Sequence, residues 1–221
     1  MKILFFDVET TGLDPVSQDI IQFAWILDID GDIVEEGNYL LPPLNLLTVA
    51  PEALAISGID LSPWTDTTDL DRRNLVLESK RAWEAIWAKH VDKFDRVDKM
   101  YPSGYNGYFD YQFLAALYRK LDDPYFGSWV NHRLLDPLAI FRFREFLSTD
   151  RVPDMKLATM AQKYDIPLVA HDALSDVRAT RLLLYILKKE FCQSPRQLLH
   201  ILKKESQHGL SRQLPQVDNL V

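Results

Sequence analysis

Three short acidic stretches, far apart along the chain, constrain the fold more than any other feature of the sequence. They read FFDVETTGL, GYNGYFDYQFL and HDALSDVRAT, and they contain Asp7 and Glu9, Asp110, and His171 with Asp176. A half-buried set of four carboxylates repels itself unless cations neutralise it. We therefore expect a fold that joins the three stretches at one cation-binding site, with the histidine beside it as a proton acceptor.

The apolar pattern predicts strands first, then helices that alternate with strands. Strands are expected over 2–7, 19–29, 33–41, 99–105 and 134–136, and Asp30-Gly31 is a hairpin turn signal. Helices are expected over 80–94, 109–121, 155–164, 174–191 and 195–205, and from Pro137 onward. The proline-rich segment through Pro42, Pro43 and Pro51 is interpreted as a connection. This order favours an α/β fold with a mixed five-stranded sheet flanked by α-helices.

Length and composition predict a single domain. With 221 residues, 47% of them hydrophobic, the chain can bury one core. We assign 1–192 to one domain, and 193–221 to a C-terminal helix and an exposed tail that contains Pro215. No apolar stretch approaches the ~20 residues of a membrane span, and Asp7 interrupts the N-terminal apolar run. Cys192 is the only cysteine, which fits a reducing compartment, so we expect a cytoplasmic protein with no membrane partner.

The net charge of -7 argues against a protein that grips nucleic acid along its whole surface. It does not argue against an enzyme that acts on nucleic acid. Several of the negative charges belong to the predicted site, and bound cations would reverse the local field where a substrate phosphate must lie.

The acidic stretches suit metal-assisted chemistry at phosphorus. Asp7 and Glu9 lie two positions apart at a strand end, so both side chains point the same way and can share a cation. Hard ions such as Mg²⁺ or Mn²⁺ prefer carboxylate oxygens, and no motif offers a second histidine or a cysteine, so zinc is not expected. Two such ions can activate a water and stabilise the leaving oxygen. His171, with an ordinary pKa of about 6.5, suits removal of the water's proton.

In these motifs the chain resembles the DEDDh 3′–5′ exonucleases, the DnaQ-like family of polymerase proofreading subunits, ribonuclease T and oligoribonuclease. FDVETTGL matches the first family motif, YNGYFDYQFL the second and HDALSDVRAT the third. The resemblance runs from about Ile3 to Ile186. It implies a ribonuclease H-like fold.

The resemblance also implies a role for each site residue. Asp7, Glu9 and Asp176 would be the main metal ligands. Asp110 would bind the second ion, and His171 would be the general base. The implied cofactors are two divalent ions, Mg²⁺ or Mn²⁺.

The function implied is release of nucleoside 5′-monophosphates from the 3′ end of single-stranded or frayed DNA, or of RNA, in proofreading or repair. One alternative is an RNA exonuclease like oligoribonuclease or ribonuclease T, and another is a hydrolase of very short oligonucleotides. A third is a non-catalytic, polymerase-associated nucleic-acid-binding module. That module would be expected to lack at least one of the five site residues, and none is missing.

Substrate contacts are expected from the segment after the first motif, from a segment near residue 58 and from the second motif. The candidates are Thr10, Thr11, Gly12, Leu13, Ser57, Gly58, Ile59, Asn106, Tyr108 and Phe109. Ser57-Gly58-Ile59 stands where many family members carry His-Gly-Ile, so we expect the grip on substrate to differ. Phe23 and Trp25 are considered with Tyr108 and Phe109 as a stacking face for bases.

Two further features have competing interpretations. Asp136 is interpreted as the cap of a helix that begins near Pro137, in preference to a further metal ligand. The last six residues, 216–221, resemble peptides that dock on bacterial sliding clamps, but we favour an exposed tail. The sequence leaves open the oligomeric state, the polymerase partner and the choice between DNA and RNA.

Overall fold

The computed structural model describes residues 1–147, 152–169 and 172–193, without the side chains of the last two. The strands are β1 (Lys2–Thr10), β2 (Ile20–Ile29), β3 (Asp32–Leu40) and β4 (Tyr101–Ser103). The helices are α1 (Pro51–Ser57), α2 (Asp69–Trp87), α3 (Tyr108–Lys120), α4 (Phe126–Trp129), α5 (Pro137–Leu147), α6 (Leu157–Lys163) and α7 (Ala173–Gln193). Two short 3-10 turns cover Leu46–Thr48 and Ser62–Trp64.

The chain divides into two compact units, Met1–Leu184 and Tyr185–Val221. Of the second unit the structure describes 185–193, which belong to α7. In the described part of the chain, no helix is both long enough and apolar enough to cross a membrane. The predicted helix over 195–205 and the predicted tail lie outside the described residues.

The sheet is mixed, with the strand order β3-β2-β1-β4. β2 pairs antiparallel with both β1 and β3, whereas β4 pairs parallel with β1. Its helical flanks confirm the predicted α/β class. The predicted fifth strand at 134–136 does not form among the described residues, where only isolated parallel bridges, Met100 to Val130 and Ser103 to Leu135, extend that edge. Asp136 already caps α5, so the segment has no length left for a ladder.

The core lies where α2 and α3 cover one face of the sheet. Trp83 and Trp87 are fully buried and meet Phe23 edge-on, with ring centroids 5.1 and 6.4 Å apart. The Trp83 indole also donates a hydrogen bond to the Tyr118 hydroxyl at 3.2 Å. The prediction that these tryptophans belong to the core is confirmed, and the same packing fixes α2 and α3 against the sheet.

Several boundaries differ from the predicted ones for local reasons. β1 continues to Thr10, beyond the predicted end at residue 7, because β2 supplies ladder partners along that length. α2 begins at Asp69 instead of residue 80, because the Thr68 side chain caps this earlier start by accepting a hydrogen bond from the Asp71 amide. The predicted proline-rich connection contains α1, which starts at Pro51. Its C-terminal cap is Gly58, which has a left-handed φ of 67°.

Candidate active site

The first two acidic residues lie inside β1 and not beyond its end. Asp7 and Glu9 pair with Ala24 and Gln22 of β2, and both are half-buried, whereas Val8 between them is buried. Alternation along a strand therefore places the two carboxylates on the same face of the sheet. The pairing register shifts between Glu9 and Thr10, so the site lies where the regular ladder ends.

Asp110 reaches β1 from the first turn of α3. Its carboxylate oxygen Oδ1 accepts a hydrogen bond from the Val8 backbone N–H at 3.1 Å. That amide lies between Asp7 and Glu9, so the contact places the third carboxylate directly against the first motif. The Asp110 side chain is almost fully buried, at 6% exposure.

A tight turn between β4 and α3 makes this approach possible. A Cβ on Gly104 would lie 2.9 Å from the Gly107 Cα and 3.2 Å from the Phe6 carbonyl oxygen, and a Cβ on Gly107 would lie 2.6 Å from the Gly104 Cα. Asn106, within the turn, has a left-handed φ of 58°. Neither glycine is among the predicted site residues, although the G-x-x-G spacing of Gly-Tyr-Asn-Gly is visible in the sequence.

Asp176 lies in the first turn of α7 and is half-buried. The Asp172 carboxylate caps this helix by accepting a hydrogen bond from the Ser175 N–H at 2.9 Å. One and a half turns after Asp176, Arg181 donates to the fully buried Asp28 carboxylate at 2.8 Å and to the Gly31 carbonyl at 2.6 Å. This contact holds the start of α7 against the β2–β3 hairpin.

The charges of the other three carboxylates act on Asp7. Burial raises the pKa of Asp7 well above its ordinary value, and the negative charges of Asp110, Asp176 and Glu9 raise it further. Burial also raises the pKa of Asp110 to about 7, against the lowering effect of the Val8 hydrogen bond. The fold thus places several carboxylates near enough to Asp7 to raise its pKa.

The donor set fits hard divalent cations because it consists of carboxylates, and a cation would relieve the repulsion around Asp7. Among the described residues, no three acidic, histidine or cysteine side chains are close enough around one point to hold an ion as they stand. The assignment of individual ligands therefore stays a prediction. His171 lies outside the described residues, so its role as general base stays a prediction as well.

The predicted contacts after the first motif form a loop that is held from within. The Thr10 hydroxyl donates to the Gly12 carbonyl at 2.7 Å, and the Thr11 hydroxyl accepts from the Asp19 N–H at 2.8 Å. Both threonines are buried, whereas Leu13 is 84% exposed. Of the four predicted contact residues Thr10, Thr11, Gly12 and Leu13, only Leu13 is exposed to a ligand.

The helix α1, which leads to the second predicted contact segment, begins beside this loop. The Ala50 N–H, just before α1, donates to the Thr11 carbonyl at 2.8 Å. At the other end of α1, the Gly58 N–H donates to the Leu54 carbonyl, and the Ile59 N–H lies 3.4 Å from the Ser57 hydroxyl. The structure therefore connects α1 with the first-motif loop.

The predicted aromatic face is only partly present. Tyr108 is 65% exposed, but Phe109 packs on Phe113 with ring centroids 4.8 Å apart. Phe23 and Trp25 are fully buried in the core. Their inclusion in a stacking face was wrong, because β2 is a central strand whose aromatic side chains face α2.

Asp136 acts as a helix cap. Its Oδ1 accepts hydrogen bonds from the Leu138 N–H at 2.9 Å and from the Asn106 N–H at 3.1 Å. The favoured interpretation is confirmed, and the same carboxylate also joins the second-motif turn to α5.

Comparisons with known proteins agree with this arrangement. A family model described as an exonuclease matches residues 4–184. The PolC-type DNA polymerase III of Lacticaseibacillus paracasei is 28% identical over 195 residues, and Protein NEN2 of Arabidopsis thaliana is 30% identical over 188 residues. These alignments cover 86% and 80% of this chain, but only 11% and 33% of the two relatives.

Among solved structures, E. coli exonuclease I in complex with a dT13 oligonucleotide is similar, with a TM-score of 0.64 and 25% identity. The match covers 91% of this chain and 43% of that chain. It confirms the predicted ribonuclease H-like architecture.

Proposed function

The chain belongs to the DnaQ-like exonuclease family, and from that premise we propose that it releases nucleoside 5′-monophosphates from the 3′ end of single-stranded or frayed DNA. The observation that carries the proposal is the convergence of Asp7, Glu9, Asp110 and Asp176 at the end of β1. DNA is favoured because the similar proteins include PolC-type DNA polymerases and an exonuclease I bound to dT13. Proofreading and repair are the proposed settings.

Two divalent cations, Mg²⁺ or Mn²⁺, are the proposed cofactors. Asp7, Glu9 and Asp176 would hold one ion, and Asp110 would help to hold the other. When bound, such ions activate a water and stabilise the oxygen that leaves phosphorus.

The protein's own residues would orient the reactants around this centre. The Val8 N–H holds the Asp110 carboxylate by a hydrogen bond. Asp110 therefore lies against the first motif before any ligand binds. His171 is the proposed base for the proton of the attacking water. Leu13 and Tyr108, both exposed at the site, are the proposed contacts for the terminal nucleotide.

The proposed partners are nucleic-acid 3′ ends and, because of the PolC-type relatives, a DNA polymerase. The sliding-clamp peptide at 216–221 lies outside the described residues, so that partner stays a prediction. The cytoplasmic location also stays a prediction, and cell fractionation would test it.

A time course on single strands of DNA and RNA with the same sequence and a 5′ label tests the proposal. With Mn²⁺ we expect ladders that shorten from the 3′ end, faster on DNA, and no shortening in EDTA. Faster shortening of RNA would replace DNA with RNA as the substrate and favour the oligoribonuclease-like or ribonuclease T-like alternative. Intact strands of both kinds, with nucleic acid still bound, would favour the non-catalytic binding module.

A further inference from the structure

A groove of about 410 Å³ lies beside the second-motif turn. One wall is formed by Tyr105 and Asn106, a second by Leu138 and Arg142 of α5, and a third by Lys156 at the start of α6. The Tyr105 hydroxyl donates a hydrogen bond at 2.6 Å to the carbonyl of Met155, the residue before Lys156. This contact fixes the first and third walls to each other.

Asp136 connects two walls of the groove by hydrogen bonds. This carboxylate holds the Asn106 N–H and the Leu138 N–H, which belong to two walls of the groove. Its charge also contributes to the raised pKa of Asp110, so Asp136 is near enough to the acidic residues to influence them. The groove lies on the side of β1 where β4 pairs with it. The loop that carries Leu13 instead bonds to Asp19, just before β2, and to Ala50, just before α1.

The charge of the groove is unusual for this acidic chain. Arg142 and Lys156 are both exposed, and none of the ion pairs among the described residues includes either of them. The nearby Asp154 carboxylate is engaged by the Lys156 N–H at 3.0 Å and by the Thr159 hydroxyl at 2.5 Å. Arg142 acts on the charge of Asp136, and Lys156 on that of Asp154, but neither cation forms an ion pair with that carboxylate among the described contacts. Both exposed cations can therefore bind an anionic ligand.

An exposed aromatic ring continues the α5 wall. Phe146 follows Arg142 by four positions, on the same side of the helix, and it is 79% exposed. A cationic groove with an aromatic ring along it is the combination that single-stranded nucleic acids bind, through backbone phosphates and base stacking.

We propose that this groove binds the strand on the 5′ side of the scissile phosphate, with Arg142 and Lys156 on backbone phosphates and Phe146 under a base. The inference rests on the proposed function and deepens it. A strand held in the groove as well as at the acidic site extends beyond the nucleotide that is released, so binding in the groove would favour single-stranded oligonucleotides and polymers over dinucleotides.

Equilibrium binding tests the groove independently of hydrolysis. A labelled DNA octanucleotide is titrated in EDTA with the wild type and with the double variant Arg142→Gln/Lys156→Gln. The matched control is Lys93→Gln/Arg96→Gln, which removes two exposed cations. These residues lie between His90 and Asp98, and Lys2 at the start of β1 donates hydrogen bonds to both of those residues. Asp7 lies five residues further along β1, roughly 16 Å away.

We expect the groove variant to bind the octanucleotide about tenfold more weakly, and the control variant to bind like the wild type. The dependence of log Kd on log salt should become shallower by about 1.4, because each lost phosphate contact on a single strand accounts for about 0.7. Phe146→Ser should weaken binding without changing this slope. In hydrolysis assays with Mn²⁺, the groove variant should have a higher KM than the wild type, and this rise should be larger for the octanucleotide than for a dinucleotide.

Unchanged binding and an unchanged salt slope in the groove variant would overturn the inference, as would an equal loss in the control variant. The proposed function fails in a different way: the wild type would then leave both substrates intact in Mn²⁺. The two failures are therefore distinguishable.

Discussion

At the scale of single residues, the candidate site is a cluster of like charges that destabilises the folded state. Asp7 stands among three other carboxylates and is half-buried, which disfavours its ionised form. The hydrogen bond from the Val8 N–H to Asp110 offsets part of this repulsion. Such an arrangement lowers the free energy of unfolding, which is expected where a function needs concentrated negative charge.

The first prediction concerns Asp7→Asn. In EDTA this variant should be more stable than the wild type by about 1 kcal/mol, which raises Tm by roughly 2–4 °C, because it removes one charge from the cluster. Thermal unfolding measures the shift. Asp60→Asn is the control: its exposed carboxylate has a pKa lowered by hydrogen bonds from Ser62, so its loss should not raise Tm. An Asp7→Asn variant that unfolds at lower temperature would contradict the predicted repulsion.

The second prediction concerns pH. The pKa of Asp110 rises from 3.8 to about 7 on folding, chiefly through burial. Between these values the folded chain keeps a proton that the unfolded chain has released, so this group makes the metal-free protein less stable as pH rises through that window. Asp110→Asn cannot titrate, yet its amide oxygen can still accept from the Val8 N–H.

Urea unfolding in EDTA at several pH values measures this effect. From about pH 4 to 7, the stability of the wild type should fall relative to that of Asp110→Asn. Parallel curves for the two proteins would show that Asp110 titrates normally in the folded state.

At the scale of elements, the site depends on how closely α3 and α7 approach the sheet. The Gly104–Gly107 turn brings α3 against the end of β1, and the Arg181–Asp28 ion pair sets α7 against the β2–β3 hairpin. Neither contact touches a substrate, but each one positions an acidic residue.

Gly104→Ala tests the α3 approach. The new Cβ would lie 2.9 Å from one backbone atom and 3.2 Å from another, so α3 or β1 must shift and Asp110 must move away from the Val8 N–H. We expect a loss of about 1–3 kcal/mol in stability and at least a tenfold loss of nuclease activity. Gly127→Ala, where a Cβ meets nothing within 4 Å, should change neither quantity appreciably. Full activity in Gly104→Ala would mean that the close approach is dispensable.

Arg181→Ala tests the position of α7. The change leaves the fully buried Asp28 carboxylate without its guanidinium, so urea unfolding should show a loss of about 3 kcal/mol or more. Arg178→Ala removes the half-exposed pair with Glu36 on the same helix and should cost less than about 1 kcal/mol. Equal effects of the two substitutions would contradict the importance of burial.

Elements with a strong local signal could be predicted, and those that depend on partners distant in sequence could not. The hairpin of β2 and β3 carries an Asp-Gly turn and long apolar runs, and the predicted ends lie within one residue of the observed ones. α1 is short, begins at a proline and buries no residue, so no apolar period revealed it. The start of α2 was missed because its first two turns are mostly polar and charged.

At the scale of the whole molecule, the structure shows which contacts position the acidic residues of the three motifs. That Asp7, Glu9, Asp110 and Asp176 form one metal site is a prediction from motif order and from the resemblance to a family with a known fold. The groove beside Asp136 could not be predicted, because its walls come from three segments that meet only in the folded chain. The site and the groove both lie within Met1–Leu184, which holds all of the matched region 4–184.

The central claim is that the carboxylates at the end of β1 carry out hydrolysis from the 3′ end. The most direct measurement is a time course on a 5′-labelled DNA single strand in Mn²⁺, with the wild type, Asp7→Asn and the control Asp60→Asn at equal concentrations. We predict a ladder that shortens from the 3′ end for the wild type and for Asp60→Asn, and an intact strand for Asp7→Asn, even though that variant is folded. A ladder of equal rate from Asp7→Asn would contradict the account.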